Sequence, residues 1–246
     1  VADIALITGG GNGIGRAVAL KFATEGIAVV VADWEADAAE KTCAEIRING
    51  ADAEAVRVDV RRAGEVKDAV ARVLDRRGTI DILANIAGGS FYRKRLEELS
   101  WAEWKEVLDI NLKGTFLFCR ETAPAMIRQK RGRIINTASN YGVTGSALRT
   151  PYSAAKAGVI GFSKSLALEL ASDGVLVNVV APGPTDTPRV MEGWDPEARQ
   201  KRAAEIPLGR NGTPEDIAEA FYFLSSPASA QITGQTLHVN GGWVMP

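Results

Sequence analysis

Apolar residues along this chain fall into short runs that alternate with longer stretches of helical spacing. Residues 3–8 form an apolar run that stops at a glycine cluster, the pattern of a strand buried on both faces. Residues 16–23 follow with helical periodicity, Gly26 ends that helix, and a second apolar run, 27–32, finishes at Asp33. The alternation continues, predicting helices over 36–49 and 63–77 and strands over 55–58 and 80–85. A loop from 86 to 99 leads into a helical region from Trp101 to about Arg128, which Pro124 should kink or divide. Strands are predicted over 133–138, 175–181 and 236–239, and helices from Pro151 to about Ser172 and over 214–225. Residues 184–213 are rich in Pro, Gly and charge, lack strong periodicity, and read as a mobile lid.

Repeated βα units with short connections imply an α/β fold, a doubly wound and mostly parallel sheet of seven strands with helices on both faces. No linker, low-complexity tract or composition break interrupts residues 1–246, so one domain is expected. Ligands in such folds bind at the carboxyl ends of the strands. That edge is where the pattern places Gly9, Asp33, Asp59, Asn85, Ser139 and Pro182-Gly183.

The first βαβ unit carries specific chemistry. Gly9-Gly10-Gly11-Asn12-Gly13-Ile14-Gly15 links strand to helix, and Asp33 ends the next strand. Glycines let the backbone approach a pyrophosphate, a helix N-terminus offers free N–H groups, and the acid accepts hydrogen bonds from ribose hydroxyls. Arg16 stands where an NTPase P-loop requires Gly-Lys-Ser/Thr, which excludes that alternative. A carboxylate at Asp33 would repel the 2′-phosphate of NADP, so NAD is the expected cofactor.

Composition narrows the picture further. A net charge of -1 and 46% hydrophobic residues describe an ordinary globular protein and give no reason to expect nucleic acid or a membrane surface as partner. Cys43 and Cys119 have no CxxC spacing, and a single histidine, His238, removes most zinc chemistries, so no metal is expected. No apolar run approaches the ~20 residues of a membrane span and no signal-peptide pattern opens the chain, which favours a cytoplasmic protein. The sequon Asn211-Gly212-Thr213 reads as a chance match.

Tyr152 and Lys156 lie four residues apart at the start of a predicted helix, on one face and one turn from each other. A phenol with a pKa near ~10 is a poor base at neutral pH. An ammonium held beside it would lower that pKa and make the pair an acid/base unit for an alcohol oxygen.

With the glycine loop and this pair both placed, the chain resembles the short-chain dehydrogenase/reductases along essentially its whole length. The resemblance rests on Thr8-Gly9 with Gly13 and Gly15, Asp59, Asn85-Ile86-Ala87-Gly88 (with Ile86 where the family has a second Asn), Asn111, Ser139, Tyr152, Lys156, and Pro182-Gly183 with Thr185 and Thr187. It implies a Rossmann fold, a small-molecule substrate and a homotetramer. It also implies that Tyr152 is the general acid/base, that Lys156 lowers its pKa and holds the nicotinamide ribose, and that Ser139 hydrogen-bonds the substrate oxygen. Asn111 would order a water that relays protons from Lys156. Gly9, Asn12, Gly13, Ile14 and Gly15 would cradle the pyrophosphate, Asp33 would hold the adenosine ribose, and Asp59 and Val60 would border the adenine. Asn85, Ala87 and Gly88 would line the channel to the nicotinamide, and residues 182–187 would cover its carboxamide. Trp34 would shield the adenine face or is simply a surface residue after a strand.

The stretches 155–178 and 232–242 look especially like bacterial 3-oxoacyl-carrier-protein reductases. Those enzymes generally use NADPH and present a basic residue just before Gly174, where this chain has Asp173, which would repel an acidic carrier. Residues 181–187 are also similar to NAD-dependent hydroxyacyl-CoA and cyclic-alcohol dehydrogenases. The favoured expectation is therefore hydride transfer between NAD(H) and a secondary alcohol or ketone. Reduction of a 3-oxoacyl thioester is the alternative, and a non-catalytic dinucleotide-binding regulator the remote one. Candidate pocket residues are 90–95 (Ser90 foremost), Tyr141, Arg149, Arg189, Met191 and Trp194. The basic run Arg93-Lys94-Arg95, with Arg149 and Arg189, reads either as exposed loop charge or as an attractor for an anionic or CoA-linked substrate. Trp243 is placed to enter a neighbouring subunit's pocket.

Overall fold

A computed structural model describes residues 2–192 and 195–246. Strands β1 (Ile4–Thr8), β2 (Ala28–Asp33), β3 (Ala53–Arg57), β4 (Ile82–Asn85), β5 (Gly132–Thr137), β6 (Val175–Pro182) and β7 (Thr236–Val239) join in one sheet. Its order is β3-β2-β1-β4-β5-β6-β7, every pair parallel. The chain starts at the centre, winds outward to β3, returns, and winds out to β7. The reversal between β1 and β4 opens a crevice at the carboxyl edge, the place where such sheets take ligands.

Alternate residues of the strands feed two cores. Leu6, Val30, Val56, Leu83 and Ile134 face α3 (Ala63–Arg77), α5 (Gly114–Gln129) and the C-terminal half of α7 (Thr150–Leu170). Ile7, Val29, Val31, Ala84 and Ile135 face α1 (Gly13–Thr24), α2 (Ala36–Ile48) and α10 (Pro214–Ser225). Burial on both faces is why the central strands are continuous apolar runs, and why their positions could be predicted closely.

The region 101–128 is divided, but not at Pro124. Helix α4 (Trp101–Leu108) passes into a single π-helical turn, Asp109–Lys113, and then into α5, which runs through Pro124. Pro124 lies on the exposed side of α5, as does Arg120, whose carbonyl loses its i+4 donor to the proline. Residues 184–213, read as a lid without regular structure, carry α8 (Pro188–Glu192) and α9 (Pro196–Ala204). Their base is pinned: Arg199 pairs with Asp186, Asn211 donates to the same carboxylate at 3.0 Å, and Thr185 bridges to Gly212. A short helix not foreseen in the sequence, α6 (Tyr141–Thr144), packs on α7. No helix of the described residues is long and apolar enough to cross a membrane.

Candidate active site

The glycine loop is shaped by what surrounds it. Gly9 adopts φ +67°, and a Cβ on Gly15 would sit 2.0 Å from the Gly9 carbonyl oxygen, so only glycine lets α1 start this close to β1. Asn12 precedes α1 without a side-chain cap, leaving first-turn N–H groups to face the adjoining cleft. That cleft, of about 510 Å³, runs along Gly11, Asn12 and Gly13 and is closed from the other side by Asp186, Pro188 and Thr213. Thr187 lies across from Gly13, close enough that a Cβ there would touch it at 3.4 Å. The donor set, the bare backbone and the cleft fit the diphosphate of a dinucleotide.

Asp33 is buried at the end of β2. One carboxylate oxygen accepts the Gly11 N–H at 2.9 Å and the other the Glu35 N–H at 3.0 Å. It thus holds the glycine loop in place as well as presenting negative charge beside it. Trp34 next to it is exposed. Arg16, which with Lys41 lines the cleft at the loop, is engaged by both oxygens of Glu45 at 2.7 and 2.6 Å.

Two residues expected at the dinucleotide spend polar groups elsewhere. The Asn85 amide donates to Asn136 Oδ1 at 2.9 Å and to Cys119, and Asn136 donates to Ser163, a buried ladder under the site. Asn85 thus ties β4 to β5 through its amide nitrogen, while its Oδ1 is buried without a partner among the described residues. Asp59 is gripped by Arg61 through both oxygens, which holds its carboxyl below the usual range, while Val60 is buried against Gly114. Thr8 accepts the N–H groups of Ile86 and Ala87 and so fixes the strand end that leads to Gly88.

Ser139, Tyr152 and Lys156 come together at the carboxyl ends of β5 and β6. Pro151 starts α7 and sets Tyr152 in its first turn, and Lys156 follows one turn on. The Tyr152 hydroxyl hydrogen-bonds with Ser139, whose own oxygen accepts the Tyr141 N–H at 3.2 Å. Lys156 is only 3% exposed; its Nζ donates to the Thr137 carbonyl at 2.8 Å and lies 5.7 Å from the centre of the Tyr152 ring.

Burial raises the Tyr152 pKa above its ordinary value, opposed by the Ser139 hydrogen bond and by the charges of Arg189 and Arg149. Burial also pushes Lys156 down to about 7. The lowered Tyr152 pKa expected from Lys156 is therefore not found: burial outweighs Ser139 and the two arginines, which offset only part of the rise.

Asn111 sits in the π turn, wholly buried. Its amide donates to the carbonyls of Gly89 and Val107, both at 3.0 Å, and its Oδ1 accepts the Gly89 N–H at 3.0 Å. Its side chain is a clamp on the loop after β4, so a water relay through it would have to use the backbone. A Cβ on Gly88 would lie 2.5 Å from Asn111 Oδ1 and 3.3 Å from Lys156 Nζ, so only glycine lets the loop pack this close to both.

Among the pocket candidates, Tyr141 accepts hydrogen bonds at its hydroxyl from Arg149 at 3.4 Å and Arg202 at 3.0 Å. Ser90 keeps a buried hydroxyl without a protein partner, and Met191 is exposed on α8. Arg189 reaches the Gly88 carbonyl and stacks on Phe91. Pro182 and Gly183 close the far side, with Gly183 bonded to β7 and Thr185 turned onto the Gly183 carbonyl. Trp194 lies outside the described residues. Trp243, expected in a neighbouring subunit, packs edge-on against Tyr141 of its own chain at 6.0 Å, with Arg202 over its ring. The sequence reading missed Arg202 and this role of Trp243 because the contacts join segments about 40 to 100 residues apart, and no local spacing announces them.

A family model described as enoyl-(acyl carrier protein) reductase matches residues 9–244. The 3-oxoacyl-[acyl-carrier-protein] reductase of Synechocystis sp. is 44% identical over 250 residues, covering 99% of this chain and 98% of the relative. The enzyme of that description from Staphylococcus aureus is 41% identical over 242 residues, with 98% of each chain covered. The crystal structure of gox2181 superposes with a TM-score of 0.95 at 33% identity, over 98% of this chain and 95% of that one. Similarity of this depth runs through the glycine loop, the Ser139–Tyr152–Lys156 cluster and the strands between them, and the chain belongs to the short-chain dehydrogenase/reductase family of oxidoreductases.

Proposed function

We propose that the chain interconverts a ketone and a secondary alcohol at a carbon β to a carboxyl-derived group, with NAD(H) as cofactor. The names of the two enzymatic relatives support the 3-oxo class of substrate. A free or CoA-linked substrate is favoured over a carrier protein, because Asp173 occupies the surface before Gly174, where it engages Lys130 and sets a carboxylate that an acidic partner would meet. NAD is favoured by the buried Asp33 carboxylate beside the loop and by the engagement of Arg16 with Glu45.

The observation that carries the reading is the cluster of Ser139, Tyr152 and Lys156 around one open point of the carboxyl edge. The dinucleotide, when bound, supplies or accepts the hydride. The chain's own groups handle the rest. Ser139 donates a hydrogen bond to the carbonyl oxygen and stabilises the negative charge that grows there. Tyr152, whose burial keeps its phenol protonated at neutral pH, gives its proton to that oxygen in reduction and takes it back in oxidation. Lys156, uncharged or charged with nearly equal ease, hydrogen-bonds the ribose and restores the phenol's proton. Asn111 holds the Gly88–Gly89 loop in place beside Lys156.

Tyr152→Phe tests this. The variant should bind NADH as the parent does and lose turnover of 3-oxo substrates by about 10²–10⁴-fold, the usual worth of a positioned acid. Undiminished turnover would remove Tyr152 from the proton transfer.

A further inference from the structure

Most arginines of this chain have a carboxylate partner, among them Arg16 with Glu45, Arg61 with Asp59, Arg199 with Asp186 and Arg210 with Asp216. The basic run after β4 is largely neutralised in the same way, Lys94 by Glu103 and Arg95 by Glu97. The arginines facing Tyr152 differ. Among the described residues no carboxylate pairs with Arg149 or Arg189, and the charges of both act on the Tyr152 hydroxyl.

Arg149 is the more unusual of the two. It is half-buried in the residue just before α7, with its guanidinium 5.3 Å from the centre of the Tyr141 ring. Its Nε is fully buried with no hydrogen-bond partner among the described residues, and the guanidinium's hydrogen bond to the Tyr141 hydroxyl is a long one. Arg93 and Arg202 add positive charge around it, and that repulsion joins burial in lowering its pKa. A guanidinium withdrawn from water and surrounded by like charge is costly unless an anion completes the site. Tyr141 lies against it, and the same residue's N–H is tied to Ser139, which sets this guanidinium one residue away from the reacting groups.

We propose that Arg149, with Arg189 beside it, binds a carboxylate carried by the substrate close to the carbonyl that is reduced, so that short 3-oxo acids are preferred over their neutral esters. The proposal rests on reading the site as a ketone reductase. A CoA phosphate could supply the same negative charge, but it hangs at the far end of the pantetheine arm from the carbonyl. Arg149, joined to Ser139 through Tyr141, and Arg189, bonded to the Gly88 carbonyl, flank the place where a carboxylate only two bonds from the reacting carbon would lie.

Two measurements decide it. Kinetics with NADH compare 3-oxobutanoate, its methyl ester and 3-oxobutanoyl-CoA for the parent, Arg149→Met and Arg149→Lys. Calorimetric titration of the NADH complex with butanoate and with butanamide reads binding without turnover. The parent should favour 3-oxobutanoate over the ester, and butanoate over butanamide. Arg149→Met should cut each preference by about 10- to 100-fold, as expected for losing a charge-assisted hydrogen-bonded pair, mainly through KM. Arg149→Lys, which keeps the charge and loses the fork, should fall between and guards against a folding defect in the first variant.

Equal binding of butanoate and butanamide by the parent would overturn the proposal. So would an equal loss on all substrates in Arg149→Met, or a preference for the CoA thioester that this variant abolishes. If the parent reduces none of the three ketones, the reductase reading falls, while Arg149-dependent binding of butanoate would still uphold the anion site.

Discussion

At the carboxyl edge of the sheet, Lys156 keeps an ammonium away from water with one hydrogen bond, to the Thr137 carbonyl, and no carboxylate among the described residues beside it. Its pKa falls from 10.5 to about 7, so the folded chain gives up this proton more readily than the unfolded one. Below pH 7 both forms are charged and the folding penalty is complete. As pH rises from 7 towards 10 the unfolded chain still binds the proton that the folded one has lost, and the penalty fades. Lys156→Met should therefore stabilise the apo-protein at pH 6 by about 1–3 kcal/mol while removing turnover, a trade of stability for function. Urea denaturation of both proteins at pH 6 and pH 9.5 checks this, with the gap expected to shrink at the higher pH. A variant less stable than the parent at pH 6 would mean the lysine is not penalised by burial. Helical spacing in the sequence set Tyr152 and Lys156 on one face, while Ser139, distant in sequence, joined them only through the family resemblance. Arg149's isolation was not legible there, since it depends on which distant acids fail to reach it.

At the scale of elements, the π turn between α4 and α5 matters most. One extra residue in a turn shifts the helix that follows and lets Asn111 point at the loop after β4 instead of along the helix surface. Its three hydrogen bonds join α4, the π turn and Gly89. Asn111→Ala leaves the Gly89 N–H and carbonyl buried without that partner, which should cost about 1–3 kcal/mol in stability. It should also lower kcat with 3-oxo substrates, because the loop would relax over Lys156. Chemical denaturation together with steady-state kinetics tests both. Wild-type stability would show that the clamp carries no load. Long apolar runs such as β2 and the amphipathic faces of α3 and α10 announced themselves by periodicity. The π turn could not, because it is a change of hydrogen-bond partner with no residue signature, and Pro124, the visible breaker, sits on the exposed side of α5 without ending it. Helices α8 and α9 were hidden for a different reason, being short and lacking a buried face of their own.

For the whole molecule, the cleft along the glycine loop is closed by residues from opposite ends of the chain, Gly11–Gly13 on one side and Asp186, Pro188 and Thr213 on the other. A dinucleotide bound there bridges the first βαβ unit to the segment after β6, so its binding energy should appear as stability of the entire fold. At a hundred times Kd this amounts to about 2.7 kcal/mol, or roughly 5–10 °C in Tm for a chain of this size. Charge decides which dinucleotide delivers it. The Asp33 carboxylate, buried and fixed by the Gly11 and Glu35 N–H groups, cannot swing away from a 2′-phosphate, and Arg16 cannot turn to meet one without breaking its pair with Glu45. NADH should therefore raise Tm well above the shift produced by NADPH at equal concentration, and kcat/KM should rank the two in the same order. Asp33→Ala should narrow that difference chiefly by weakening NADH, because the same substitution releases Gly11 from its anchor and loosens the loop both dinucleotides need. A larger shift with NADPH in the parent would reverse the assignment of NAD and place the controlling charge elsewhere than at Asp33.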